Sequence, residues 1–310
     1  MAGVPRASGL PDYGPGGTIN FNPEIYSGKL VEKFYKTTVF GEIASTDYEG
    51  EIAGFGAQVK IRTIPDITVS DYVVGAGLNA QYPTNNSVTL TIDQAKSFAV
   101  ALSTVDSRQS DLDLADVFAN DGSIQLRIAA DADMLETIPA DVSADNQGRT
   151  AGADSNSIDL GDSTTPFSLT KSNVVDFIVD AGTVLDEQNV SDEGRWFVLP
   201  PWAIALIKKS DLRIASLAGD GVSILRNGKV GEIDRFTIYQ SRNLLAQTTP
   251  GLANYAMFGH SAGLTFAAQI IEAQMIDNPN DFGYIIRGLM IFGYEVIEPK
   301  YVGTAVIKRG

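Results

Sequence analysis

Gly259-His260-Ser261-Ala262-Gly263 matches the G-x-S-x-G spacing that presents a nucleophilic serine on a sharp turn. Such a serine needs a histidine base brought to it from elsewhere in the chain. His260 is the sole histidine, it sits inside the motif, and a strand-to-helix turn cannot fold residue i−1 back onto residue i. A glycine-rich turn is therefore the expectation, with a serine hydrolase using Ser261 as the alternative. Asp111, Asp113 and Asp116, or Asp131 and Asp133, suggest a cation site. A helical setting does not curl round an ion, however, and the calcium-loop spacing fails at Ala115. They read as a solvated acidic face. Glu232 and Asp234 with Asp220 would suit glycoside chemistry, but nothing in the sequence fixes their separation, so they read as surface charge. Gly75-Ala76-Gly77 lacks the third glycine of a dinucleotide loop, and no phosphate-binding Gly-Lys-Ser/Thr is present. The expectation is a protein that is not an enzyme, with no catalytic, cofactor-binding or metal-ligating residue.

Lys60 and Arg62 belong to a different pattern. Gln58-Val59-Lys60-Ile61-Arg62-Thr63-Ile64 and Ser87-Val88-Thr89-Leu90-Thr91-Ile92-Asp93 both alternate apolar and polar residues, so each predicts a strand with one apolar face. The 22 residues between them, Pro65 to Asn86, carry Asp71-Tyr72-Val73-Val74-Gly75. A two-stranded ribbon with a long excursion is marginal alone in water, and its edges offer unpaired backbone groups. It makes sense when other subunits complete it. Lys60 and Arg62 then either solubilise an exposed strand or meet acidic groups of an adjacent subunit.

The remaining elements follow from punctuation and period. Residues 1–22 are Gly- and Pro-rich and predict an extended arm, and Asn22-Pro23-Glu24 opens a helix that ends before Thr37-Thr38-Val39-Phe40. The second ribbon strand continues towards Phe98. Leu114, Phe118, Ile124, Ile128, Leu135 and Ile138 predict a helix of about thirty residues from Asp106, stopped by Pro139, with a kink allowed at Gly122. Residues 141–168 predict a surface loop or mobile insertion. Thr170 caps a second helix to Glu187, Arg195–Leu199 is a buried strand, and Pro200-Pro201 opens a short helix to Ser210. Trp196 and Trp202 are expected in the core. Turn signals fill residues 211–260, which read as an inserted α/β lobe, and Tyr284–Ile297 and Val302–Ile307 are expected as strands buried on both faces.

Composition narrows the class. The chain has 310 residues, 44% hydrophobic and 20% charged, with a net charge of −15 and no cysteine. A sizeable core is expected. Tight, sequence-independent nucleic-acid binding, which relies on clustered Lys and Arg, is disfavoured, as is an anionic membrane surface. Disulfides and thiolate sites are excluded. The longest apolar run, Phe197 to Ile207, has 11 residues, against ~20 for a bilayer span. No signal peptide is read at Met1–Arg6, and the expected product is soluble and cytoplasmic in origin.

In this order the features resemble the major capsid protein of tailed bacteriophages, with the HK97-type fold. The residues that carry the likeness are Gly56–Ile61 leading to Val69-Ser70-Asp71-Tyr72, Leu90–Asp93, Gln109–Leu112, Val198–Pro201, Asn227–Ile233, Phe236–Leu244 and Arg287–Gly293. The resemblance implies an α+β fold with an N-terminal arm and helix (1–48), an E-loop β-hairpin (49–104), a P-domain with a long spine helix (105–210), an inserted A-domain (211–260) and closing P-domain segments (261–310). It implies self-assembly into hexamers and pentamers of an icosahedral shell around packaged DNA, without tight DNA binding. Scaffolding, portal, terminase and decoration proteins would be partners, and the virion the location after assembly in the host cytoplasm. Lys60, Arg62, Asp71 and Tyr72 become candidate inter-subunit contacts. An encapsulin-like compartment holding a cargo enzyme is the nearest alternative, and a tail or decoration protein a weaker one.

Overall fold

The structure, a computed structural model, describes residues 35–36, 38–47, 58–63, 87–104, 114–210, 231–247, 252–279 and 281–310, with 65, 67–69, 71, 74–75 and 80–82 between the ribbon strands. The expected arm, the helix from Asn22 and the turn signals of 211–230 lie outside the described residues. In chain order the elements are α1 (Phe40–Ile43), β1 (Gln58–Arg62), β2 (Ser87–Thr91), β3 (Gln94–Ser103), α2 (Leu114–Thr137) and β4 (Phe167–Leu169). Then come α3 (Val174–Glu187), β5 (Arg195–Leu199), α4 (Pro201–Lys209), β6 (Glu232–Ile233), β7 (Phe236–Gln240) and β8 (Ala246–Gln247). The chain closes with β9 (Ala253–His260), β10 (Leu264–Asp277), β11 (Gly283–Val296) and β12 (Val302–Arg309).

The described strands form three sheets. One is the ribbon, β1 antiparallel to β2 with Gln58 opposite Thr91 and Arg62 opposite Ser87. A second has three strands in the order β10-β11-β3. The third has seven, in the order β4-β12-β9-β5-β7-β6 with β8 on β9. Both faces of this largest sheet are covered, which is why Arg195–Leu199 is buried along its whole length. Phe197 and Leu199 face α3 and α4 in one core, together with Phe177, Phe236 and Phe258. Ring centroids there lie 5.4 Å apart for Phe197–Phe258 and 5.5 Å for Phe197–Phe236, contacts worth about 0.5–1.5 kcal/mol each beyond area burial. Trp196 and Val198 point the other way, into a core shared with Leu126, Ala130 and Met134 of α2 and with Phe266, Met290 and Phe292 of the three-stranded sheet.

Several expectations change. The described part of the long helix has 24 residues and passes into a 3-10 turn at Ile138–Ala140, where Pro139 sits. Phe40 opens a short helix, Phe40–Ile43, at whose start the Val39 and Phe40 N–H groups donate to a buried carboxylate. Thr170 is not the cap of α3: helix begins at Val174, and Thr170 donates through N and Oγ1 to Asn173 Oδ1 at 2.7 and 3.0 Å. The 141–168 stretch is not a mobile insertion. Ala151 and Leu160 are wholly buried, Asn146 Nδ2 donates to the Lys300 and Val302 carbonyls at 2.7 and 3.0 Å, and Val306 N donates to Leu160 O at 3.0 Å. β10, unforeseen in the sequence, pairs with β11 from Leu264↔Val296 to Asp277↔Tyr284. β11 alternates exposed and buried towards its Gly283 end, so it is not buried on both faces throughout. Residues 232–260 run in the same sheet as β5 and β12.

Candidate assembly interface

Lys60 and Arg62 stand exposed on the polar side of β1, while Val59 and Ile61 turn inwards. Their cross-strand neighbours are Thr89 and Ser87, which bring no negative charge. Asp71 is exposed as well, and Tyr72 lies outside the described residues. The excursion carries large apolar side chains in water: Ile67 is 73% exposed, Val69 92%, Val74 86% and Tyr82 91%. Four large apolar side chains exposed on one short excursion are the sort of surface that another molecule can cover. Gln81 ties the two limbs together, accepting from Thr68 N at 3.1 Å and donating to Thr68 O at 2.6 Å.

At its root the ribbon is anchored. Ile61, Leu90 and Ile92 form a small core with Ala267, flanked by Val59, Ile291 and Ile297. The apolar period-two face read from the sequence is thus laid on the three-stranded sheet. Beyond the ribbon the same sheet face stays open. Ala95, Ser97, Ala99 and Ala101 of the edge strand β3 are exposed, and a groove of about 410 Å³ is lined by Ser97, Ala99, Gln274, Arg287 and Leu289 among others. The opposite face carries α2. Phe98 fits between Gly122 of α2 and Gly288 of β11, and a Cβ at either glycine would run into its ring. Lys96 Nζ meets Asp133 Oδ1 at 3.1 Å, and Tyr294 Oη donates to Thr137 Oγ1 at 2.9 Å. These contacts stitch helix to sheet.

Two buried polar nodes escaped the sequence reading. Asp131, expected on a solvated face, is wholly buried. Its Oδ1 accepts from Val39 N at 2.8 Å and Phe40 N at 2.9 Å, and its Oδ2 accepts from Asn243 Nδ2 at 2.7 Å. Burial pushes its carboxyl above the ordinary range, against the hydrogen bonds from Asn243, Val39 and Phe40. Arg195, also buried, donates to Asp186 Oδ1 at 2.7 Å and to the carbonyls of Val190 and Ser191 at 2.6 and 2.8 Å. Arg235 reaches Asp186 and Asp192 at 2.9 and 2.6 Å. Despite partial burial, which raises it, the Asp186 carboxyl is held low by Arg195 and Arg235. That network secures the two-residue turn between β6 and β7, where Asp234 and Arg235 take φ of 46° and 65°, left-handed values that favour glycine. The only sequence signals were a charged residue at the head of an apolar strand and an aspartate in step with Ala130 and Met134.

The remaining candidates separate. Asp116 is exposed on α2, Glu232 is exposed on β6, and Asp111, Asp113 and Asp220 lie outside the described residues. At Gly259–Gly263 the strand β9 runs into a 3-10 turn, Ser261–Gly263, and then into β10. No helix follows, so the elbow is absent, and His260 Nδ1 is occupied by Ala262 N at 3.0 Å. The hydrolase reading has no site here. Among the described residues no helix is long and apolar enough to cross a membrane.

No protein-family model matches the chain, and no curated protein matches it in sequence. Solved structures do match. A structure from Mycobacterium phage Che8 is 25% identical, with a TM-score of 0.75 over 92% of this chain and 97% of that one. The capsid of Cyanophage P-SCSP1u is 14% identical, with a TM-score of 0.69 over 100% of both chains. The mature capsid of bacteriophage PhiM1 is 17% identical, with a TM-score of 0.65 over 94% of this chain and 93% of that one. The ribbon on its anchoring sheet, the long helix beneath it and this end-to-end coverage lead to one conclusion: the chain has the HK97-like fold of these phage capsid structures.

Proposed function

We propose that this chain is the major head-shell subunit of a tailed phage, assembling into hexamers and pentamers that close an icosahedral shell around the genome. The observation that carries this is the ribbon. Its root is packed into the body and its excursion exposes Ile67, Val69, Val74 and Tyr82, a surface that suits another molecule. The open face of the three-stranded sheet is the natural receiver, with small side chains on β3 that let a second backbone approach. Lys60, Arg62, Asp71 and Tyr72 make inter-subunit contacts in this reading, the cations meeting carboxylates of a neighbouring copy. Obligate interfaces bury roughly 2,000–5,000 Å², to which the ribbon's exposed excursion would contribute.

The role is structural and not enzymatic. The surface, at net charge −15, encloses DNA without gripping it. Scaffolding, portal and decoration proteins are its expected partners. The five-part division into 1–48, 49–104, 105–210, 211–260 and 261–310 is kept as the domain plan, with strands of the last two segments sharing one sheet. Negative-stain microscopy of the purified protein tests the proposal: closed shells or their hexamers and pentamers are expected. A compact monomer at high concentration, with the ribbon protected from protease, overturns it.

A further inference from the structure

Asp131 sits where three separate stretches of chain meet. From α2 it holds the segment that leads into the ribbon, through Val39 N and Phe40 N, and the turn before β8, through Asn243. The four-residue α1 is far too short to persist alone. It is fixed by this carboxylate, by the burial of Val39 and Ile43, and by Ser45, which donates to Leu264 O at 2.8 Å and accepts from Phe266 N at 3.0 Å. On the far side of the node, Asn243 Oδ1 is buried with no hydrogen-bond partner. A buried acceptor without a donor is costly. A half-turn of the Asn243 amide exchanges its oxygen and nitrogen in nearly the same space; it would present the acceptor to Asp131 and carry the N–H donors to the side where Oδ1 now lies.

We propose that Asp131 and Asn243 form a proton-operated latch on the segment leading into the ribbon. In the ionised state Asn243 Nδ2 donates to Asp131 Oδ2, as seen here. On proton uptake Asp131 Oδ2–H donates to Asn243 Oδ1 after the amide turns, while Oδ1 goes on accepting from Val39 and Phe40. One proton is gained from solvent and no bond other than hydrogen bonds changes. The charged or titratable side chains on the elements that meet here are Glu42 of α1, hydrogen-bonded to Tyr239 of β7, Arg242 beside Asn243, and Arg127 and Asp133 of α2, the latter paired with Lys96. None supplies a counter-charge to Asp131, whose carboxyl is raised by burial. A group raised in the fold contributes stability that is fully present below its unfolded value and lost as pH rises through the folded one. The latch therefore tightens in mild acid. Its use in setting the ribbon rests on the shell reading; the latch itself does not.

Hydrogen exchange at Val39 and Phe40, corrected for intrinsic rates, tests it on unassembled subunits, with shell formation scored separately by microscopy so that the two readings fail independently. Between about pH 7.5 and about pH 3.5, protection in the wild type should rise severalfold, because a carboxyl that holds its proton more tightly when latched than when open favours the latched state in full only below the ordinary aspartate value. Asp131→Asn, neutral and able to donate to a turned Asn243, should show the acid-level protection at both values. A flat wild-type response, a pH response retained in Asp131→Asn, or protection lowered by it overturns the proposal. Should that variant not fold, Asn243→Asp decides: two facing carboxylates share a proton, so the rise must move to higher pH, and an unmoved rise overturns the latch.

Discussion

Phe98 occupies a gap that two glycines make. Gly122 lies in the middle of α2, where glycine costs about 1 kcal/mol relative to alanine, and the sequence alone suggested a kink there. The structure gives another reason: a Cβ at Gly122 or at Gly288 would overlap the ring. The absent side chains let helix and sheet close on the ring from both sides. Gly122→Ala, favourable by helix propensity, should therefore destabilise by about 1–3 kcal/mol through overpacking. Gly288→Ala should do the same. Thermal unfolding checks this, and combining either with Phe98→Leu should recover part of the loss, since neighbouring residues are not additive. A stabilised Gly122→Ala protein would mean that the ring is not confined there. Asp131 makes a related point. Its neighbours Ala130 and Met134 are buried, so the helical period that hides them carries it inwards too. Charge alone had suggested water.

At the scale of elements, the ribbon divides into a part that belongs to its own subunit and a part that does not. Val59, Ile61, Leu90 and Ile92 lock the root onto Ala267 and Ile291, whereas Ile67, Val69 and Tyr82 are exposed. Replacing residues 63–86 by an Asn-Gly turn, which suits a two-residue hairpin between the paired Arg62 and Ser87, should leave the fold intact. Denaturant unfolding should shift by no more than about 0.5 kcal/mol, as for surface changes away from packed features. Assembly should be lost, as read by light scattering. An unfolded variant would show that the excursion stabilises its own subunit; normal shells would show that it is dispensable between subunits. The 141–168 loop behaves in the opposite way. Its polar composition suggests solvent, yet Ala151 and Leu160 anchor it, and at Gly161, with φ of 75°, a Cβ would meet the Val306 carbonyl. A few buried apolar residues suffice to fix a polar loop.

For the whole molecule, the net charge of −15 makes each surface cation matter, and copies of such a chain repel unless charge is matched locally. Lys60→Glu with Arg62→Glu should slow assembly at low salt by about tenfold or more, because steering by complementary charge acts mainly on association rates, and added salt should narrow the gap. The same assembly rate in both proteins would remove these residues from the interface. What could be read without coordinates was whatever repeats locally. The alternation in Gln58–Ile64 and Ser87–Asp93, the helical stripe ending at Pro139, the Pro200-Pro201 helix start and the glycine turn round Ser261 each depend on neighbours a few residues apart, and their order along the chain carried the resemblance to capsid proteins. Decided only in three dimensions were the burial of Asp131 against residues 92 and 112 positions away, the placing of Phe98 between Gly122 and Gly288, and the pairing of β10 with β11. Long-range packing sets these. No local period or composition records which distant backbone will arrive to donate to a carboxylate or leave room for a ring.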